Sequence, residues 1–340
     1  MSEPAPPRLA AWLRDALGDP GPFTLRRLSG GNSNDTLQLR SPQAVRILRR
    51  APAATVATNA HNMEREHRIL AALAPTPAPA PRPLALCTDP DVAPGPILVM
   101  EAVDGHALTD SLPDGFPSAA ETAAAVGPAT IRAIAAVHTV DWRAAGLHDF
   151  GRPDGFLERQ VARWRRQRER HRVRELPWFD EVGAWLDAHR PPDREPAILH
   201  GDFRLDNVHV AAPPVTVTAI IDWEIATIGD PLLDLGLFLA FWGPERPDPP
   251  AMPRLQAISR VAGAPSRAAL ADHYAALTGR PVDDLPWYMA LALFKLAAIV
   301  EGAYAQHLAG NLDSAYARDL AVDVPLLLEE AAIHAGLRAA

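Results

Sequence analysis

The chain has 340 residues, 48% hydrophobic and 22% charged, with a formal net charge of -8. That length holds one large domain or two ordinary ones, and the acidic balance argues against a nucleic-acid partner. The lone cysteine, Cys87, excludes an internal disulfide and a Cys-rich metal site. Among 33 Lys and Arg residues the only lysine is Lys295, so no lysine-containing P-loop or S-x-x-K nucleophile exists. H-E-x-x-H, G-x-S-x-G and G-x-G-x-x-G are also absent. The N-terminus has no apolar signal core and no run of 18 apolar residues occurs, so a cytoplasmic protein without a membrane partner is expected.

In chain order, residues 5 to 17 carry apolar residues at helical spacing and stop at Gly18. Three strand-like pieces follow, 23–28, 35–40 and 44–49, an antiparallel meander. A helix is predicted over 58–73. The proline-rich stretch 74–83 reads as an extended connector, because proline lacks the amide N–H. Residues 97–103, ILVMEAV, form a further strand. Beyond Gly105 helical patterns dominate, at 119–139, 155–173, 179–189, 231–242, 252–262, 267–277, 285–305 and 312–335. Two short strands, 206–210 and 215–221, make a hairpin inside this helical half. The fold class is therefore α+β, with a sheet-rich half over 1–104 and a helical half over 105–340.

The hairpin places chemistry at its ends. Asp202 and Asn207 precede and enter its first strand, and Asp222 follows its second, fifteen residues after Asn207. Two carboxylates and an amide oxygen converge there, a hard-oxygen set suited to Mg²⁺ with a carboxylate left to accept a hydroxyl proton. This is the layout of protein-kinase-like phosphoryl transfer. The sheet half must then supply the nucleotide site. The turn at Ser29, Gly30, Gly31, Asn32 and Ser33 would cover phosphates. Arg49 ends the third strand and Glu66 lies on the next helix, a cation with its acid. The strand around Glu101 and Val103 would offer backbone groups to adenine.

The motifs LSGGNSN (28–34), LRRAP (48–52), EHRIL (66–70), VMEAVDG (99–105), HGDFRLDN (200–207) and DWEIATIGDPLLDL (222–235) resemble the aminoglycoside phosphotransferase (choline kinase-like) family. They are closest to its branch of kinase-like domains fused to some acyl-CoA dehydrogenases. The resemblance spans about residues 20 to 305. It implies a two-lobe protein-kinase-like fold and ATP-dependent phosphorylation of a small-molecule hydroxyl. It implies Asp202 as catalytic base, Asn207 and Asp222 as Mg²⁺ ligands, and Arg49 with Glu66 as the phosphate-positioning pair. Many relatives have Lys where this chain has Arg49.

The acceptor reads as a metabolic alcohol or hydroxyacyl compound. An aminoglycoside or a regulatory pseudokinase role is the alternative. A protein Ser/Thr kinase is disfavoured, because Asp222 leads into Trp223-Glu224 rather than D-F-G. His200 reads as a structural brace. Asp230-Pro231 reads as a helix start. Asp234 needs buried partners, with the catalytic-loop backbone the expected one. Glu224 is open between a supporting acid and a metal ligand, and Arg204 and Asp206 between an ion pair and a substrate-facing role. Residues 158–175 carry eight Arg against three Glu, a pattern of solvated helix faces that could also draw an anionic substrate. Lys295 either reaches to solvent or faces the acceptor cleft.

Overall fold

The computed structural model describes residues 2–28, 34–51, 63–108, 111–243 and 246–339. The expected turn at Ser29, Gly30, Gly31, Asn32 and Ser33 lies outside them, as does the start of the helix predicted from 58. Strand β1 (Glu3–Pro4) leads into helix α1 (Pro7–Leu17), which ends where Gly18 turns left-handed at φ 61°. Strands β2 (Thr24–Arg27), β3 (Asp35–Arg40) and β4 (Val45–Arg50) form the expected antiparallel meander. Helix α2 (Met63–Leu73) follows, then β5 (Pro83–Cys87) and β6 (Ile97–Glu101). The sheet has six strands, in the order β1-β2-β3-β4-β6-β5. The proline connector thus runs straight into a strand that proline content had concealed. Pro83 sits at the first position of an edge strand, where its missing N–H removes no bond needed from the ladder.

Strand alternation divides this sheet between two helices. Ile97 and Val99 point into a core shared with Leu9 and Leu13 of α1. Leu98 and Met100 point the other way, into a core with Met63, Ile69, Leu70 and Leu73 of α2. That second core continues without a break into the helical half.

The chain crosses over at Gly105, whose φ is 102° and where a Cβ would lie 2.8 Å from the Val210 carbonyl oxygen. Only glycine fits both conditions. Strand β7 (His106–Ala107) then pairs with β9 (Val208–Ala211), which pairs with β10 (Thr216–Ile220). Strand β8 (Ala197–Leu199) pairs with β11 (Thr227–Gly229). Around these ribbons lie α3 (Ala119–His138), α4 (Glu158–Arg170), α5 (Phe179–Ala188), α6 (Leu232–Ala240), α7 (Arg267–Thr278), α8 (Leu285–Leu308) and α9 (Ala315–His334). Apolar α8 is the central helix, packed against α4, α5, α6 and α9.

The helix predicted over 252–262 does not form. Turns and one 3-10 turn, Ala257–Arg260, replace it, with Met252 and Gln256 left-handed at φ 47° and 50°. The irregular backbone aims the Gln256 side chain inward. Its amide donates to the Phe238 carbonyl (3.0 Å) and accepts the Leu205 N–H (3.2 Å). The two halves are tied at several points. Ile220 N–H reaches the Pro79 carbonyl at 2.7 Å. Arg65 of α2 donates to the carbonyls of Phe150 (2.5 Å) and Ala226 (3.0 Å).

Candidate active site

The catalytic loop is fixed through its backbone. Buried β8 delivers His200, and Gly201 follows at φ 89°, where a Cβ would lie 3.0 Å from the Ile225 carbonyl oxygen. Asp234, on the first turn of α6, accepts the N–H of His200 (2.6 Å) and of Gly201 (2.8 Å). Burial alone would raise its pKa. Hydrogen bonds to the buried His138 and from the Gly201 N–H outweigh burial and hold it below the usual carboxylate value. Lys295 of α8 donates to the Gly201 carbonyl at 2.6 Å. The His200 ring accepts the Asp202 N–H on Nδ1 (3.2 Å) and donates from Nε2 to the Ile221 carbonyl (2.7 Å). That ring joins the loop to the strand end that carries Asp222, so His200 is the structural brace the sequence suggested.

Within the loop, Asn207 Nδ2 donates to the Asp202 carbonyl (2.8 Å) and to Asp202 Oδ2 (3.0 Å). Its amide nitrogen is thereby spent, and its amide oxygen is the atom left for a cation. Arg204 Nη2 donates to Asp202 Oδ2 at 2.9 Å and lies 3.2 Å from Asp206 Oδ2. The pair left open by the sequence is thus a three-residue bridge that includes Asp202. Asp202 Oδ1 accepts no bond from any described residue. Burial would raise the Asp202 carboxyl, but the Arg204 guanidinium, with His200 and Lys295, holds it below its ordinary value.

Arg49 marks the other side of the cleft. It donates to buried Glu66 through Nη1, and through Nη2 to Asp222 Oδ1 at 2.7 Å and Glu224 Oε2 at 3.4 Å. Glu224 also accepts from Asn34 at 2.5 Å, so it is a supporting acid engaged with the sheet. Burial would lower the Arg49 pKa, but Glu66, Asp222 and Glu224 together raise it. Asp222 is left-handed at φ 67°, a conformation uncommon outside glycine that aspartate enters more readily than most residues, and single residues held there cluster at functional positions.

The structure therefore brings Asp202, Asn207 and Asp222 to one cleft with Arg49 and Glu66. Ile221 N–H bonds to the Asn207 carbonyl at 2.9 Å, so Asn207 and Asp222 sit at adjoining strand ends. Among the described residues no three His, Cys, Asp or Glu side chains form a metal-binding group. The donor set of Asn207 and Asp222 suits Mg²⁺ instead, which keeps waters and takes substrate phosphates rather than a full protein cage. On the strand edge, Glu101 N–H bonds to the Arg82 carbonyl (3.0 Å) and its carboxylate accepts the Arg82 N–H (3.0 Å). The Val103 backbone lies beside the His209 ring. Sequence reasoning did not single out Asn34 or Gln256 as braces. Asn34 ends the LSGGNSN motif, which was the available signal, whereas Gln256 had none.

A cavity of about 440 Å³ lies beside the catalytic loop, walled by Gly201, Ile225, Arg163, Trp164, Gln167 and Lys295. Lys295 thus lines this cavity beside the loop. The arginine run divides: Arg165 pairs with Asp187 (2.6 Å) and Arg174 with buried Glu301 (2.9 Å), while Arg163 stands over the Trp164 ring in the cavity wall.

Comparison with known proteins agrees with this geometry. Residues 24–273 match the model of the phosphotransferase enzyme family, APH. The chain is 33% identical over 315 residues to acyl-CoA dehydrogenase family member 10 of Mus musculus, covering 91% of this chain but 29% of that protein. It therefore spans less than a third of that relative's length. A solved structure from Ralstonia eutropha, provisionally classed as an aminoglycoside phosphotransferase, is 33% identical with a TM-score of 0.80, covering 97% of this chain and 98% of that one. An aminoglycoside phosphotransferase solved with GDP and kanamycin shares the fold at a TM-score of 0.63 and 13% identity, covering 95% and 98%. The α+β two-lobe, protein-kinase-like fold is thereby established, together with the branch resemblance read from the motifs, and the chain belongs to the phosphotransferase enzyme family.

Proposed function

We propose that the protein transfers the γ-phosphoryl group of ATP, with Mg²⁺, to a hydroxyl of a small anionic or hydroxyacyl metabolite. The observation that carries this reading is the convergence of Asp202, Asn207 and Asp222 on the cleft that Arg49 closes from the sheet side. Asp202 Oδ1 takes the hydroxyl proton as the acceptor oxygen bonds to the γ-phosphorus. The bond from that phosphorus to the β-γ bridging oxygen breaks, and its electron pair leaves with ADP. Bound through Asn207 and Asp222, Mg²⁺ would neutralise phosphate charge. Arg49 offers its guanidinium to the phosphates from a fixed position, and such positioning accounts for most of the rate in a loose transition state.

The cavity supports the acceptor class. Lys295 and Arg163 have no carboxylate partner within ion-pair distance among the described residues. Its lining carboxylates are engaged, Glu224 by Asn34 and Arg49, and Asp234 by the loop backbone. Such a wall repels a polycationic antibiotic and attracts a carboxylate or phosphate. The acyl-CoA dehydrogenase relatives favour an acyl compound bearing a hydroxyl. The test is transfer of labelled γ-phosphate from Mg-ATP to a metabolite extract split by ion exchange into anionic, neutral and cationic fractions. Label in the anionic fraction is expected. Label confined to kanamycin or the cationic fraction would overturn the acceptor class. Nucleotide binding without transfer in any fraction would favour the pseudokinase.

A further inference from the structure

We propose that Arg204 is a catalytic residue whose guanidinium binds the transferring γ-phosphoryl group of ATP. This rests on the phosphotransferase reading. The position is the first ground for it. Arg204 lies two residues from Asp202 and bonds to the same carboxylate that faces the acceptor hydroxyl. It is a cation one hydrogen bond away from the reacting proton. No other cation bonds to Asp202 among the described residues. Arg49 spans Glu66, Asp222 and Glu224, and Lys295 holds the Gly201 carbonyl.

The second ground is unspent bonding capacity. Arg204 Nε is buried with no partner among the described residues, and so is Asp206 Oδ1. Buried polar atoms of native proteins nearly always bond, and the cleft's two guanidiniums, Arg204 and Arg49, each keep a buried Nε without a partner among the described residues. A guanidinium carries five donors in a planar fork that matches phosphate oxygens, and here one nitrogen, Nη2, makes both carboxylate contacts. The third ground is its place on the loop. Arg204 is extended, at φ -145° and ψ 162°, before the 3-10 turn Leu205–Asn207. Asp206 can retain the guanidinium while it leaves Asp202 for a phosphoryl oxygen. An arginine supplied within the same chain is worth orders of magnitude in phosphoryl transfer, because the charge it meets is spread over three oxygens.

The experiment compares wild type with Arg204→Met and Arg204→Lys by calorimetric titration with Mg-ADP, and with Mg-ADP plus aluminium fluoride, a planar mimic of the transferring group. Thermal melts check folding, and Arg204→Lys decides the matter should Arg204→Met not fold. Wild type is expected to bind the aluminium fluoride complex at least about tenfold more tightly than Mg-ADP. Arg204→Met should lose that increment while binding Mg-ADP within about twofold of wild type, and Arg204→Lys should recover only part of it. The same increment in wild type and both variants would overturn the role of Arg204 and leave the phosphotransferase reading standing. No increment in a wild type that binds Mg-ADP would do likewise. Failure of wild type to bind Mg-ADP would overturn the phosphotransferase reading and this inference with it.

Discussion

The catalytic loop and the phosphate cradle lie on opposite sides of one cleft and are held by different physics. The loop is gripped by its backbone: Asp234, Lys295 and Gln256 each bond to its main-chain groups from the helical half, Asp234 and Gln256 from buried positions. The cradle is held chiefly by side chains, with Arg49 and Asn34 reaching Asp222 and Glu224 more than 170 residues away in sequence. Backbone bonds from a packed core fix a geometry before substrate arrives, which proton transfer requires. Charge-to-charge contacts can be exchanged for phosphate oxygens, which lets the cradle close on its ligand. Asp222 belongs to both regions, bonded to Arg49 on one side and adjoining Asn207 on the other.

The comparison breaks at its strongest point if Asp202 is dispensable. Asp202→Ala is expected to cut phosphoryl transfer by about 10²–10⁴-fold while Mg-ATP affinity stays within about twofold; steady-state kinetics beside calorimetry reads both. On the cradle side, Arg49→Lys keeps the charge but cannot span Glu66 and Asp222 with separate nitrogens. Mg-ATP should bind about 10- to 100-fold more weakly, with a smaller change in turnover of bound nucleotide. Removing the Asp234 charge sharpens the contrast, because it strikes the loop's support and no reacting atom. Asp234→Asn should cost about 1–3 kcal/mol of stability at neutral pH. Since its folded pKa is depressed, that contribution is complete above the ordinary value of about 3.9 and is lost as pH falls through the folded value. Melts of wild type and variant should therefore differ most at pH 5–7 and begin to approach each other only as pH falls below about 4. The smallest effect is expected at Lys295→Met, a rise of about three- to tenfold in acceptor KM with nucleotide KM unchanged. An unchanged acceptor KM would remove Lys295 from the acceptor wall.

The loop was more legible in sequence than the cradle for the same reason that they differ. Asp202, Asn207 and the two hairpin strands lie within a short stretch, so spacing alone brings them together. Apolar periodicity likewise located β3 to the residue and placed α1, α3, α7 and α8 closely. Arg49 and Glu66 could be paired from the sheet-then-helix order, but no local pattern announces the bonds of Asn34 or Arg49 to the segment after Asp222. The left-handed Asp222 was hidden as well, since aspartate does not advertise that conformation as glycine does. Tertiary context overrode propensity at 252–262, where the buried Gln256 amide bonds to Leu205 and Phe238 in place of a helix. Short β8 and β11 were missed because three residues carry no readable period.

The central claim is that Asp222 joins cradle and loop by holding Mg²⁺ with Asn207, and the most direct measurement is ATP affinity with and without Mg²⁺ in wild type and Asp222→Asn. The account predicts that Mg²⁺ tightens ATP binding by at least about tenfold in wild type and has little effect in the variant. An equal Mg²⁺ enhancement in both proteins would contradict it.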